Sequence, residues 1–556
     1  MHPGRWGDGV REDFAFDFAL RMSLLRAMSS RRSHREFLAR HPALREALWW
    51  SIPALLAALG VRAALLSYLP LAQWTPDSMS FFEFAWKAHA SGEWYLNEKR
   101  RYLYPIVLYA VEFLPGATLR WVAWLQHLAG ILCVVPLAYL VRHCFHAWRW
   151  VVVPVTLAYA LFPTLLWYEH TMLSDPMFCH ATLLACAGWV GWRSRPAETW
   201  RWWWFCAPFA VAILTRPAGR FFLPGVVLAL ICTRAWLHLR WPHWAALVAA
   251  MALNLSLGKD KQVAYLFYRC AFPLTRLETP YLAEYKTEVR DEVLAVRSDP
   301  DRAYVRDAWL DDLIKRPAEM TGKPHWQALA DRDEEKARVY KGLAMEALRG
   351  APLEYFGLSL RRLVASLDVR PSFAWMFSVQ YSKSEFRAQF ERLAGKKELL
   401  RARIFGWGRR GPAPSLDECL REIAPDGETV AMRALQRWAG QWSRAVHFVA
   451  PSGAADRGLP ISAFRPAGLS WLLAVGLCGC VLRPWRETVG CLALMAMGYL
   501  VGVFMIGGAN PRFAAAAWPV LLLLLALPVD ALARAWVGRV ERRGKRSASD
   551  IAPAAP

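Results

Sequence analysis

Runs of about twenty apolar residues recur along this chain, and a segment of that length and composition is built to cross a bilayer. They fall near residues 47–70, 117–141, 150–167, 172–192, 202–215, 219–237, 241–257, 467–482, 488–506 and 513–536. Ten such runs predict an all-α polytopic membrane protein with about ten transmembrane helices. The 202–215 run is the shortest of the first seven. Residues 103–115 (LYPIVLYAVEFLP) are too short to span and read as an interfacial or juxtamembrane helix. Apolar residues make up 55% of the 556, yet 21% are charged. The two figures agree only if apolar residues collect in spans and charges in loops, as they do here. Tryptophans flank several runs (Trp49, Trp50, Trp121, Trp148, Trp150, Trp241, Trp244), where an amphipathic ring prefers the interface.

Arginine placement sets the expected orientation. Residues 21–45 hold seven arginines against one acid, Glu36, which predicts a cytoplasmic N-terminus. Alternation then makes the turns at 142–149, 193–201, 234–240 and 483–487 cytoplasmic. Each carries arginine: Arg142, Arg149, Arg193, Arg195, Arg201, Arg234, Arg240, Arg483 and Arg486. The C-terminal tail with Arg539, Arg542, Arg543, Lys545 and Arg546 also lands inside. An even number of spans preserves this bias; an odd number breaks it. The first apolar run is too long, and too far behind a basic region, for a cleavable signal peptide. The net charge of +22 then follows from the positive-inside rule. Its arginines are spread over loops rather than gathered on one soluble face, so no nucleic-acid partner is expected.

The resulting organisation is a basic N-terminal segment (1–46), seven spans with a first external loop at 71–116 (47–258), an external insertion (259–466), three spans (467–536) and a basic tail (537–556). The insertion reads as mostly helical, with helices expected at 334–348, 353–367, 384–403 and 428–449. In the second of these Leu353, Phe356, Leu360 and Leu363 fall near one face, suited either to a membrane surface or to a domain core. Nine of eleven cysteines lie in or beside spans and read as small hydrophobes. Cys270 and Cys419 share the external insertion, and whether they pair is left open by the sequence.

Function must come from polar groups that break the membrane pattern, and three sets do so on the expected outer face. The first external loop holds Asp77 in Thr75-Pro-Asp-Ser, then Lys99-Arg100-Arg101-Tyr102-Leu103-Tyr104-Pro105. The turn between the third and fourth runs holds Glu169, His170 and Asp175. Arg216 and Arg220 flank Pro217, and Arg512 follows Gly507-Gly-Ala-Asn-Pro511, where the orientation rule predicts no cations. A charge at such depth costs roughly 2.5–3.5 kcal/mol on insertion scales unless paired or hydrated. Several converging on one side point to an outward polar cavity. Its cations suit a lipid phosphate or pyrophosphate. Its carboxylates suit proton abstraction from an acceptor or coordination of a divalent metal, and no metal site is assigned.

This arrangement resembles the GT-C superfamily of membrane glycosyltransferases, especially bacterial relatives of protein O-mannosyltransferases and lipid A aminoarabinose transferases. The resemblance rests on Pro76-Asp77-Ser78, the basic-aromatic element at 99–105, Ser174-Asp175-Pro176, Leu214-Thr-Arg-Pro217 and Arg512-Phe513, and covers the membrane regions but not the insertion. It implies a polyprenyl-phosphate-linked sugar donor, an inverting transfer at the outer face of the bacterial cytoplasmic membrane, and a glycan, lipid or protein acceptor. It assigns Asp77 as general base or acceptor-orienting group, with Asp175 positioning acceptor or sugar. Lys99, Arg100, Arg101, Tyr104, Arg216 and Arg512 would hold lipid phosphate or sugar, with Glu169, His170 and Arg220 as further candidates. Two departures stand: Ser78 follows Asp77 where many relatives have a second acid, and Asp175 replaces the common Glu.

Plainer roles compete at each position. Asp77 and Asp175 are favoured helix caps, Lys99–Arg101 are ordinary headgroup anchors, and Glu169 and His170 suit a solvated turn. Arg62, inside the first run, suits a structural partner for an interior acid or a snorkelling side chain. A lipid-linked-sugar flippase or a non-catalytic scaffold are the competing functions. The sequence shows no repeat symmetry of the kind transporters carry.

Overall fold

In the computed structural model every regular element among the described residues is helical. It describes residues 42–75, 77–91, 103–115, 117–145, 149–256, 267–268, 270–298, 333–367, 383–384, 386–388, 415–423, 430–445, 468–482, 485–506 and 514–550. The first helix, α1 (Pro42–Tyr68), is apolar all round, yet its burial is one-sided. Ala47, Ser51, Ala54, Ala58, Arg62 and Leu65 recur every three or four residues and face the bundle. Small side chains there bring neighbouring backbones close, which suits helix packing in lipid. Trp49, Leu56 and Leu59 face outward. After α1 come α2 (Ser78–Ser91) and the nine-residue α3 (Leu103–Val111), about 14 Å long and too short to span, as its sequence predicts.

The helices α4 (Thr118–Leu132) and α5 (Val134–Cys144) run together as one apolar stretch, Thr118–Cys144. The third apolar run is broken. α6 (Val152–Ala160) and α7 (Pro163–Glu169) meet at a 48° bend. Pro163 cannot donate to the preceding turn, so the helix must restart there. The restart exposes the carbonyl of Leu161, and the indole N–H of Trp438 donates to it at 2.8 Å. Phe162, at the break, packs against the rings of Trp518 (4.7 Å) and Trp442 (5.8 Å).

The next helix, α8 (Asp175–Arg193), is buried on nearly all sides and packs along α9 (Trp202–Thr215). The contact requires Gly188, because a Cβ there would lie 2.1 Å from the carbonyl oxygen of Trp204. Trp189, Trp192, Trp202 and Phe205 fill the core beside it. α10 (Phe222–Cys232) packs on a later span, with Phe222 stacked on Tyr499 at 4.3 Å, and α11 (Trp241–Ser256) closes the first membrane region.

In the insertion, α12 (Asp333–Gly350) and α13 (Pro352–Leu367) match two expected helices. Tyr268, Phe272, Tyr285, Val293, Leu343 and Tyr355 form a small core of their own. The apolar face expected on α13 is split by the structure. Tyr355, Ser359, Leu363 and Leu367 are buried, whereas Leu353, Phe356 and Leu360 are 85%, 52% and 48% exposed. The hydroxyl of Tyr355 donates to the carbonyl of Met505, tying this core to a membrane helix. Further along, α14 (Leu416–Ile423) and α15 (Val430–Ala445) turn Cys419, Met432, Leu435 and Trp442 into the main core rather than into a separate domain. Cys270 and Cys419 therefore belong to two different clusters. The helix expected at 384–403 lies largely outside the described residues.

The chain closes with α16 (Gly468–Gly479), α17 (Cys491–Ile506) and α18 (Trp518–Asp550). Every expected span corresponds to a helix or a broken helix, but length and apolarity single out fewer. Among the described residues four stretches suffice to cross a membrane: Pro42–Tyr68, Thr118–Cys144, Arg486–Met505 and Ala515–Val537, or five counting the bent pair. The protein is all-α and polytopic. The other expected spans are shorter or more polar, as in α8, whose nineteen residues include Asp175, His180 and three tryptophan or arginine positions at its end.

Candidate functional site

Two chain segments that are distant in sequence are fastened together at one end of the bundle. Beyond α1 the chain runs extended, and the amide of Gln73 donates to the carbonyl of His170 at 2.8 Å. The amide of Met172 returns a bond to the carbonyl of Gln73 at 3.1 Å. This is an isolated parallel bridge, Gln73 with Thr171. Next to it the hydroxyl of Ser78 donates to the carbonyl of Met172 at 3.1 Å while accepting the amide of Thr75 at 2.9 Å. Asp77 sits between these two anchors, half-buried, at the start of α2. The residue that departs from the acidic pair, Ser78, is thus the clasp that holds Asp77 beside the segment leading to Asp175.

Asp175 is buried at the first position of α8, where a negative charge suits the helix N-terminus. Ser174 occupies the capping position and makes no side-chain cap bond. The Asp175 carboxylate contacts the guanidinium of Arg216, which also lies over the ring of Phe178 at 5.9 Å. Local sequence explains how Arg216 arrives there. The residue before a proline is driven out of the helical region; Arg216 precedes Pro217 and is extended, at φ −142° and ψ 140°. α9 therefore stops, and the arginine side chain leaves its axis toward α8. Arg220 lies in the following turn with its guanidinium over Phe221, 5.4 Å from the ring centre.

Behind this pair lies a charged centre wholly removed from solvent. Arg62 of α1 donates to both carboxylate oxygens of Glu169, at 2.7 and 3.0 Å, and to the carbonyl of Ala160 at 3.0 Å. His127 Nδ1 lies 3.1 Å from Glu169, and its Nε2 lies 3.0 Å from Nδ1 of His170. His180 Nε2 stands 3.5 Å from the other Glu169 oxygen. Gly130 makes room for the carboxylate, since a Cβ there would fall 2.1 Å from its oxygen. The solvated turn considered for Glu169 and His170 is thus replaced by full burial. Arg62 is the partner of an interior acid, as one reading of its position anticipates.

Tyr104 joins the same structure. Its hydroxyl donates to Gln126 Oε1 at 3.0 Å, and the Gln126 amide donates to the carbonyls of Glu169 (3.0 Å) and Thr171 (2.7 Å). Burial pushes the Tyr104 hydroxyl well above its ordinary pKa, and the Asp175 carboxylate pushes the same way. The phenol stays neutral, so it holds the loop as a donor. Phe81 of α2 packs edge-on against it at 5.2 Å.

The structure therefore brings together Asp77, Tyr104, Glu169, His170, Asp175 and Arg216. Lys99, Arg100, Arg101 and Arg512 lie outside the described residues. Gln126, His127 and His180 were not singled out from sequence, although polar side chains inside apolar runs are themselves a signal. Among the described residues no group of three or more His, Cys, Asp or Glu is arranged to hold a metal ion.

No family model matches the sequence, and no curated protein matches it. Among solved structures the chain is similar to ArnT from Cupriavidus metallidurans, crystallised with undecaprenyl phosphate. Identity is 13% and the TM-score 0.31, over 87% of this chain and 78% of that one.

Proposed function

We propose that this chain is a membrane glycosyltransferase of the GT-C type, taking a sugar from a polyprenyl-phosphate-linked donor at the outer face of the bacterial cytoplasmic membrane. The observation that carries the reading is the clasp between the Asp77 loop and the 169–175 segment, which sets two carboxylates and a cation at one end of the bundle. Ten spans with both termini in the cytoplasm would put that end outside, in line with the arginine-rich turns at the other.

In the transfer an acceptor hydroxyl oxygen bonds to the anomeric carbon as the bond from that carbon to the phosphate oxygen breaks. The electron pair leaves on the polyprenyl phosphate, and Asp77 takes the hydroxyl proton. Attack opposite the departing phosphate inverts the sugar. Fixed cations lower the barrier by meeting charge that grows on the leaving group. Arg216 fills that role here with its direction set by Asp175, and Lys99, Arg100, Arg101 and Arg512 supply further positive charge. Tyr104 and the Glu169 centre position the loop rather than touch substrate.

The reading is tested in cells by mass spectrometry of envelope glycans with and without the gene. Loss of one glycosyl residue from an envelope glycan, lipid or protein is expected. The same loss with lipid-linked sugar held on the cytoplasmic side would favour a flippase instead, and unaltered glycans would contradict the reading.

A further inference from the structure

A second site lies at the opposite end of the bundle. α8 begins at Asp175 and ends at Arg193, and nineteen helical residues cover about 28 Å, close to the thickness of a bilayer's hydrocarbon core. Beside the last turns of that helix is a cavity of about 570 Å³, bounded by the start of α1, by α5 and by residues of α8 and α9. Such a volume falls within the roughly 300–1,000 Å³ of ordinary small-molecule sites. Its walls are apolar, with Leu44, Val135, Leu184, Ala187 and Trp204 prominent among them. Leu184 is 40% exposed on an otherwise buried helix, so the cavity opens sideways toward the surface that lipid covers.

The polar end is built differently. Tyr139, His143, Arg195 and Arg201 line it. Arg201 donates to one oxygen of Glu198 at 2.5 Å, and Arg195 donates to the other at 3.2 Å. Two guanidinium groups thus share one carboxylate, which leaves a single positive charge in excess. Arg201 is buried and lies over the rings of Trp200 and Trp204, at 5.5 and 5.8 Å, so its direction is set before any ligand arrives. An apolar cleft of this depth beneath one fixed excess cation matches an acyl chain below one phosphate.

We infer that this cavity binds an anionic phospholipid of the membrane leaflet opposite the candidate active site, with its phosphate at Arg195 and Arg201 and an acyl chain beside Leu184 and Ala187. The site is separate from the proposed donor site in place and in the leaflet it draws from. It does not depend on the chain being a glycosyltransferase.

Photoleucine in place of Leu184 tests this in full-length protein held in nanodiscs with equal phosphatidylglycerol and phosphatidylcholine. Ultraviolet cross-linking followed by intact-mass spectrometry should show one covalently attached phospholipid, with phosphatidylglycerol favoured about tenfold. Arg195→Glu, at an exposed turn, should erase that preference while phosphatidylcholine labelling persists. Equal labelling by the two lipids, or a preference that survives Arg195→Glu, would overturn the assignment. So would cross-links to a peptide from residues 1–41, the segment that precedes Pro42 in the sequence.

Discussion

At the scale of single residues, the Glu169 centre is the strongest determinant of the candidate site. Arg62 and Glu169 satisfy each other in a fully buried place, and removing one partner strands a buried charge. Glu169→Ala is expected to cost about 3–5 kcal/mol, seen as a lowered unfolding midpoint in detergent. The double variant Arg62→Met with Glu169→Met should recover much of that loss, because it removes both buried charges together, although the His127 ring nitrogen and the Ala160 carbonyl each lose a partner. If the double variant is as unstable as the single, the ion pair is not what the site depends on. Gly130→Ala should destabilise by about 1–3 kcal/mol by overpacking, since its methyl meets the Glu169 carboxylate. Part of this was legible in sequence: an arginine inside an apolar run needs a partner, but the sequence suits Glu169 to a solvated turn and does not name it as that partner. What sequence could not supply was the third dimension. His127 and His180 stand 42 residues before and 11 after Glu169, and only the helix packing shows that both face it.

At the scale of elements, the broken helix α6–α7 turns the chain so that residues 169–175 meet the Asp77 loop. Pro163 marks the break in sequence, but its compensation comes from far away. The indole of Trp438 in α15 satisfies the carbonyl that the break leaves open. Trp438→Phe should lower stability by about 1 kcal/mol, the cost of an unmet half-buried carbonyl, in a thermal unfolding assay. An unchanged midpoint would mean that another group takes the bond. The same logic explains where sequence pattern and burial part. α13 shows a helical period, yet Leu353, Phe356 and Leu360 face out while Tyr355 and Ser359 face in. Its tie to Met505 decides the burial, and hydropathy does not record ties. α8 passes as a span by apolar content and fails a stricter reading because histidine, aspartate and tryptophan dilute it. A helix enclosed by other helices along most of its length, Leu184 apart, has little lipid face to keep apolar.

At the scale of the whole molecule, the two ends of the bundle differ in kind. One end gathers Asp77, Asp175 and Arg216 around a clasped pair of loops; the other gathers arginines around an apolar cavity. Reporter fusions at the 193–201 turn should be active in the cytoplasm, and fusions after residue 91 should be active outside. Both reporting the same side would break the proposed topology. The proposed chemistry is most directly examined by single-turnover transfer from a polyprenyl-phosphate sugar, using purified wild-type protein and Asp77→Asn of equal thermal stability. The account predicts a rate lower by about 10²–10⁴-fold with donor binding retained, as expected when a general base is removed. Transfer at the wild-type rate by Asp77→Asn would contradict it.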